Sequence, residues 1–264
     1  MTPDSVFDTL AIDYDAAFSN RIPGRWLRSR TRRVIAAILP PASRVLDVGC
    51  GTGDDAFWLA AAGHEVVATD VSHGMLNVTK ARRAAAPETV AARVDVERLD
   101  LESPCDEVRG PFDLVMSNFG AVNCCADLGG FFAWLDQRLE EDGRVVITVM
   151  GRYCLWETFG FALRGRFRQA ARRWSGRATF TLDGIDQPIW YHSPAAIRNM
   201  AQSHFVIESI SGVGVFVPST EFFHVCESRP RLMRCLCRLE TIVAGRWPFN
   251  RLGDHYTVVL RRPA

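Results

Sequence analysis

The stretch richest in chemistry is Val45-Leu-Asp-Val-Gly-Cys-Gly-Thr-Gly-Asp54. An apolar run that reads as a buried strand enters a turn with glycines at 49, 51 and 53 and then opens a helix. Glycines let the backbone turn sharply and approach a ligand closely. That geometry seats a nucleotide-like ligand at the carboxyl end of a parallel strand. The dinucleotide fingerprint fails, because Asp54 stands where its third glycine belongs, and a P-loop fails because no Gly-Lys-Ser/Thr follows. Asp47 brings a carboxylate to the same place, where it would repel a pyrophosphate and favour a cation. A second carboxylate, Asp70, closes Val66-Val-Ala-Thr-Asp-Val-Ser72, 17 residues after Gly53. At the end of a second strand it can accept both hydroxyls of a ribose.

The elements that must position these groups follow from hydrophobic spacing. Residues 1–43 read as helical: Phe7, Leu10 and Tyr14 share one face, Trp26, Leu27, Ile35 and Leu39 recur farther on, and Pro40-Pro41 ends the segment. Strands are expected at Arg44–Val48, Glu65–Thr69, within Val90–Leu99, at Phe112–Ser117 and at Arg144–Met150. Helices are expected at Asp54–Ala62, at Ser72–Ala86 with Ser72 as N-cap, and at Asp127–Leu139. Such alternation implies βαβ units, a parallel sheet and helices on both faces. The alternation breaks over 152–192, where an Arg-rich helical stretch precedes two strand-like pieces, Ala178–Leu182 and Ile189–Tyr191. It resumes with a helix after Ser193-Pro194, a strand near Phe205–Ile210, a helix at Pro230–Ala244 and a last strand at His255–Arg261. The expected fold is therefore α/β: a Rossmann-like, seven-stranded, mostly parallel sheet with helices on both faces. Residues 1–43 would be an N-terminal helical lid, 44–151 the cofactor-binding core, 152–192 a cap insertion after the fifth strand, and 193–264 the C-terminal part of the core sheet.

Asp47-Val-Gly-Cys-Gly-Thr-Gly53, with Asp70 after it, resembles the first two motifs of the class I S-adenosylmethionine-dependent methyltransferases. Phe7-Asp8-x-x-Ala11-x-x-Tyr14-Asp15 resembles the lead-in of quinone-biosynthesis-type and related small-molecule methyltransferases. The resemblance covers roughly residues 7–150. It implies S-adenosylmethionine as cofactor and S-adenosylhomocysteine as product. It places Asp47, Gly49, Cys50 and Gly51 around the cofactor, Asp70 and Val71 beside its ribose, and Met75, in Gly74-Met75-Leu76, over its adenine. Asp100-Leu101 resembles the adenine-contacting pair, with Asp95 as the alternative. Asn118 and Phe119 end the fourth motif, Phe112-Asp-Leu-Val-Met-Ser-Asn-Phe119, which borders the methionine moiety and the reacting methyl. Tyr14 would lie over the cofactor as part of the lid, or simply pack in the core. Arg25 would pair with the cofactor's carboxylate, or be solvated. The implied activity is methyl transfer to a small, apolar or amphiphilic acceptor; the alternative is a non-catalytic S-adenosylmethionine-binding or interaction protein on the same fold. The Asn/Asp-Pro-Pro-aromatic tetrapeptide of methylases acting on exocyclic amines is absent, since the chain reads Ser117-Asn118-Phe119-Gly120.

Methyl transfer from a sulfonium needs alignment and water exclusion more than acid/base chemistry. Where a base helps, His192, His204, His224 and Tyr191 are available by elimination, and His192 is preferred because it ends the insertion. Within that insertion Leu155, Phe159, Leu163, Phe167, Ala170 and Trp174 recur at helical spacing. Residues 152–177 hold seven arginines against one acid, Glu157. We expect a cap whose apolar face lines the acceptor site and whose arginines attract an anionic or lipid-like substrate. A solvated basic face and contact with a membrane surface are the alternatives.

Composition narrows the rest. The 264 residues are 48% hydrophobic with a net charge of +1, so no bulk field recruits nucleic acid, which is not expected as a partner. Lys80 is the sole lysine among 31 basic residues, a bias that a GC-rich bacterial genome produces. The eight cysteines include no Cys-x-x-Cys and no zinc spacing, so no metal is expected. Residues 1–15 do not read as a signal peptide and no run suits a membrane span, so a reduced, cytoplasmic protein is expected.

Overall fold

The computed structural model describes residues 6–263; the first five residues of the expected lid lie outside the described residues. Seven strands form one sheet: β1 (Arg44–Val48), β2 (Glu65–Asp70), β3 (Val94–Arg98), β4 (Phe112–Ser117), β5 (Leu139–Met150), β8 (Val206–Val213) and β9 (His255–Arg261). β6 (Arg177–Leu182) and β7 (Ile185–Trp190) form a separate hairpin. The order across the sheet is β3-β2-β1-β4-β5-β9-β8. β1 to β5 run parallel, and β9 is antiparallel to both β5 and β8. The fold is thus the Rossmann-like, mostly parallel seven-stranded sheet expected from the sequence.

Side chains alternate across a strand, and β1 shows the result. Val45 packs with Ala68, Leu114, Val146, Val259, Ile35 and Leu59 on one face. Leu46 and Val48 pack with Val115, Ile147, Val258, Phe131, Phe132 and Phe205 on the other. The helices are α1 (Val6–Leu10), α2 (Ile22–Ile38), α3 (Asp54–Ala61), α4 (His73–Ala85), α5 (Glu88–Ala91), α6 (Gly129–Asp136), α7 (Leu155–Ala162), α8 (Phe167–Ala170), α9 (Pro194–Ala201), α10 (Phe223–Glu227) and α11 (Pro230–Val243); α2 and α3 cover one face of the sheet, α6 and α9 the other, and α7 and α8 pack on each other. Ser72 caps α4 by accepting from the Met75 amide at 3.1 Å, and Ser193 caps α9 through Ala196 at 3.2 Å. No helix among the described residues is long and apolar enough to cross a membrane.

Several boundaries differ from expectation for identifiable reasons. The third strand falls within the expected range, after a helical turn at Glu88–Ala91 that was not expected. The expected helix Asp127–Leu139 is trimmed to α6, and β5 starts at Leu139, running through Asp142-Gly143 as an irregularity opposite Phe112 and Leu114. Helix α1 is a single turn, followed by a π-helical turn at Asp15–Ser19. The cap helix breaks at Gly165 (φ +72°) into α7 and α8. Its hairpin closes through Asp183-Gly184, both at positive φ, the backbone of a two-residue type I′ turn.

The largest correction concerns the face of the cap. Phe159, Leu163, Phe167 and Trp174, expected to line a pocket, are exposed; Cys154, Glu157, Phe161, Ala170 and Arg173 are the buried ones. Arg172 and Arg173 turn inward onto Glu157, and Arg173 also reaches Asp254. Those ion pairs orient the segment, so helical spacing located the apolar stripe without fixing its direction.

One buried acid shapes the loop after β8. Glu240 on α11 accepts from the amides of Gly214 (2.6 Å), Phe216 (3.1 Å) and Val217 (2.9 Å). Removing it leaves three amides without that partner, at about 1–3 kcal/mol for each buried group. Glu240→Ala should therefore lower unfolding free energy by at least ~3 kcal/mol in a urea melt, and Glu240→Gln by distinctly less.

Candidate functional site

The chain leaves β1, travels out to β3 and returns to the other side as β4, so the carboxyl ends of β1 and β4 flank a topological switch point, where open α/β sheets bind ligands. A cavity of about 560 Å³ opens there. Its floor is the glycine turn. Gly49 and Gly51 adopt φ of +70° and +56°, and a Cβ on Gly49 would fall 2.1 Å from the Ala121 Cβ. The turn is pinned by the Cys50 amide to Thr69 O (2.8 Å) and by Thr79 Oγ1 to Gly51 O (2.8 Å).

Three carboxylates surround this turn in three different states. Asp70 accepts from the amides of Gly51 and Ser72, each at 2.9 Å, and burial raises its pKa against those bonds. A carboxylate has about four acceptor positions, so acceptor capacity remains for a ligand hydroxyl. Asp55 is buried, which opposes its charge, yet Arg28 (2.5 Å), Arg32 (2.7 Å) and Asn118 Nδ2 (3.0 Å) hold it ionised below the usual range. Asp47 is also buried, and its Oδ2 has no hydrogen-bond partner among the described residues. Burial, then the neighbouring Asp55 charge, pushes its pKa well up. Asn118 Oδ1 is likewise buried without a partner.

Residues 6–19 strap over this end. Asp8 accepts from Ser72 Oγ (2.6 Å) and the Gly74 amide (2.7 Å). Asp15 accepts from Thr52 Oγ1 (2.7 Å) and Arg82 (2.5 Å). Tyr14 lines the cavity beneath the strap. Phe119 sits at φ +57°, a conformation uncommon outside glycine. It packs on Phe18 (5.0 Å) and, edge-on, on His255 (5.3 Å). The cavity continues beneath the hairpin, where Ala178, Phe180, Ile189 and Tyr191 line it with Arg172, Glu221 and His255.

Of the expected site residues, Tyr14, Asp47, Gly49, Cys50, Gly51, Asp70, Val71, Met75, Asp100, Leu101, Asn118 and Phe119 all line this one cavity. Asp95 does not; it is exposed and 3.7 Å from Arg83. Arg25 is also outside: it is exposed and donates to Asn20 O at 2.7 Å. Arg28, one turn later, is buried and lines the cavity. The stripe Gly24, Arg28, Thr31 and Ile35 is buried at helical spacing, so the phase of α2 carried that signal. His192 is buried away from the cavity, with Nε2 3.0 Å from Cys125 O. His204 pairs with Asp136 and His224 is exposed.

The histidine at the cavity is His255, whose Nδ1 lies 3.2 Å from Asp254 Oδ2. Asp254 is fixed by Arg173 at 2.6 Å; although burial opposes its charge, His255 and Arg173 hold its pKa far down. His255 begins β9, paired with Met150 at the end of β5. Because β9 runs antiparallel, its start lies at the carboxyl edge of the parallel strands, and strand direction is what hydrophobic pattern does not report. Cys154, Glu157 and Asp254 cluster, but Arg172 and Arg173 already engage both carboxylates and burial raises the Cys154 thiol. All eight cysteines are free thiols.

A doubly wound sheet whose switch point holds a glycine turn between buried carboxylates defines a nucleoside-binding α/β domain. Residues 45–143 match the family described as "Methyltransferase domain". The chain is 35% identical over 146 residues to a demethylmenaquinone methyltransferase of Clavibacter sepedonicus, covering 54% of this chain and 56% of that protein. It is 33% identical over 153 residues to the ubiquinone/menaquinone biosynthesis C-methyltransferase UbiE of Geotalea uraniireducens, covering 54% and 60%. The curated relatives are thus matched over about a quarter to two thirds of their length. The fold is shared with an S-adenosylmethionine-dependent methyltransferase structure from Mesorhizobium loti (TM-score 0.56, 20% identity, 89% and 100% coverage). It is also shared with the glycopeptide N-methyltransferase MtfA in complex with S-adenosylhomocysteine (TM-score 0.57, 16%, 89% and 89%). Residues 45–143 thus resemble the methyltransferase domain, and the fold is that of the class I S-adenosylmethionine-dependent methyltransferase superfamily.

The residues present fit the cofactor of that superfamily. Asp70 retains acceptor capacity for a ligand hydroxyl, while Asp47 and Asn118 offer orphaned oxygens to a cationic, donor-bearing ligand. Such a ligand favours ionised Asp47, whose pKa in the free protein is raised, so binding releases protons. Affinity for S-adenosylhomocysteine should rise with pH until the free carboxyl is ionised, then level off. Calorimetry in buffers of different ionisation enthalpy should detect the released proton, and Asp47→Asn should flatten the pH dependence.

Proposed function

We propose that this chain binds S-adenosylmethionine across the glycine turn and transfers its methyl group to a small acceptor with an apolar or amphiphilic body. The observation that carries this reading is the buried, unpartnered Asp47 Oδ2 beside a turn where Gly49 leaves no room for a Cβ, in a cavity that continues beneath an apolar hairpin. When bound, S-adenosylmethionine supplies an electrophilic sulfonium methyl for an in-line displacement. Asp70 would hold the ribose hydroxyls, Val71, Met75, Asp100 and Leu101 the adenine, and Asp47, Asn118 and Arg28 the charged end. Phe119, held edge-on by His255, would border the reacting region.

Ala178, Phe180, Ile189 and Tyr191 would exclude water from the acceptor and favour a ring-bearing apolar molecule. The relatives named as demethylmenaquinone methyltransferases support that class of acceptor. His255 would take the acceptor's proton at the ring nitrogen turned from Asp254, with Asp254 stabilising the imidazolium. The division into lid (1–43), core (44–151), cap (152–192) and returning strands (193–264) follows from these roles. Free thiols throughout support a reducing, cytoplasmic setting.

Calorimetry with S-adenosylmethionine and S-adenosylhomocysteine tests the reading, followed by mass shifts in a panel of hydroquinone and phenolic acceptors. Asp70→Ala should weaken both nucleosides at least ~10-fold, about 1.4 kcal/mol, whereas Asp95→Ala should leave them unchanged. His255→Asn should cut turnover roughly 10²–10⁴-fold with nucleoside affinity intact. Binding without turnover on any acceptor would instead favour a non-catalytic binding protein.

A further inference from the structure

The junction of α7 and α8 exposes six consecutive residues, Leu163-Arg164-Gly165-Arg166-Phe167-Arg168. Leu163 is 89% exposed and Phe167 70%, with Phe159, one turn earlier, at 61%. Gly165 at φ +72° turns the chain, so the segment forms a tip between the two helices. None of Arg164, Arg166 and Arg168 pairs with a carboxylate among the described residues. The guanidiniums of Arg164 and Arg166 lie over the rings of Phe222 (4.6 Å) and Phe161 (5.3 Å), which anchors them beside the tip. The nearby acids are already engaged: Glu157 by Arg172 and Arg173, Glu221 by Arg172. The tip therefore combines projecting apolar side chains with uncompensated positive charge, on a chain whose overall charge is only +1.

We propose that this tip docks the protein on an anionic lipid bilayer, with Leu163, Phe167 and Phe159 entering the acyl boundary and Arg164, Arg166 and Arg168 meeting lipid phosphates. Guanidinium groups pair well with phosphate, and basic apolar surfaces partition to anionic interfaces. A second copy is the poorer occupant, because a two-fold contact sets the same patch against itself and would bring arginine onto arginine. The same insertion sends Ala178, Phe180 and Ile189 into the cavity, so docking would bring the acceptor side of the protein to the lipid surface. The docking does not depend on methyl transfer.

Cosedimentation of the full chain with phosphatidylcholine vesicles, with and without phosphatidylglycerol, tests the proposal. Binding should require phosphatidylglycerol and weaken at high salt. Each basic residue near an anionic surface contributes roughly fivefold, so combined Arg164→Ala, Arg166→Ala and Arg168→Ala should reduce binding on the order of 100-fold. Leu163→Ser with Phe167→Ser should reduce it roughly 10-fold or more, and Lys80→Ala, away from the tip, should leave it unchanged. Melting curves of all variants should match the parent, since the altered side chains are exposed. Absence of vesicle binding, equal binding to neutral vesicles, or wild-type binding by both combined variants would overturn the proposal. So would a dimer in light scattering that the serine variant dissolves, which would assign the tip to a second copy. Salt-sensitive binding to duplex DNA, lost in the arginine variant and kept in the serine variant, without vesicle binding, would assign it to nucleic acid.

Discussion

Three buried carboxylates around one glycine turn constrain the rest of this molecule. Burying a charge is costly unless a partner or hydrogen bonds offset it. Asp55 is balanced by Arg28 and Arg32, Asp70 by two backbone amides, and Asp47 by neither. The local charge is therefore incomplete by design of the backbone, and a positively charged ligand is what completes it. Arg28 ties α2 to the start of α3, and the strap over 6–19 is fastened to the same turn and to the N-terminus of α4. Loosening any of these would disturb the others, because all converge on the backbone between Asp47 and Asp55.

The parts of this arrangement that are local in sequence were readable. Strand, glycine turn and helix lie within one stretch, Ser72 announces its helix by side-chain type, and Asp70 follows at strand spacing. The parts that depend on tertiary choice were not. Arg25 and Arg28 differ only in which face of α2 meets the core, and the buried positions of that helix decide between them. His192 ends the insertion in sequence but turns its ring to Cys125, while His255 reaches the cavity only because β9 runs against its neighbours. Boundaries failed where pairing overrode propensity, as in the irregular start of β5.

The insertion illustrates a further limit of periodicity. Its apolar residues recur as a helical stripe, yet Gly165 divides that stripe and the Arg173–Glu157–Asp254 contacts decide which side turns inward. A basic segment that looks like a uniform charged face is in fact two populations: Arg172 and Arg173 hold the insertion to the core, and Arg164, Arg166 and Arg168 have no acidic counterpart. Composition counts them alike, whereas burial separates them.

The strap and the hairpin hang from different parts of the chain. Asp8 and Asp15 fasten the first; Arg173 fastens the second through Asp254. Because α1 also lies against β7, the two covers meet over the cavity, and a change that displaces one disturbs the seat of the other.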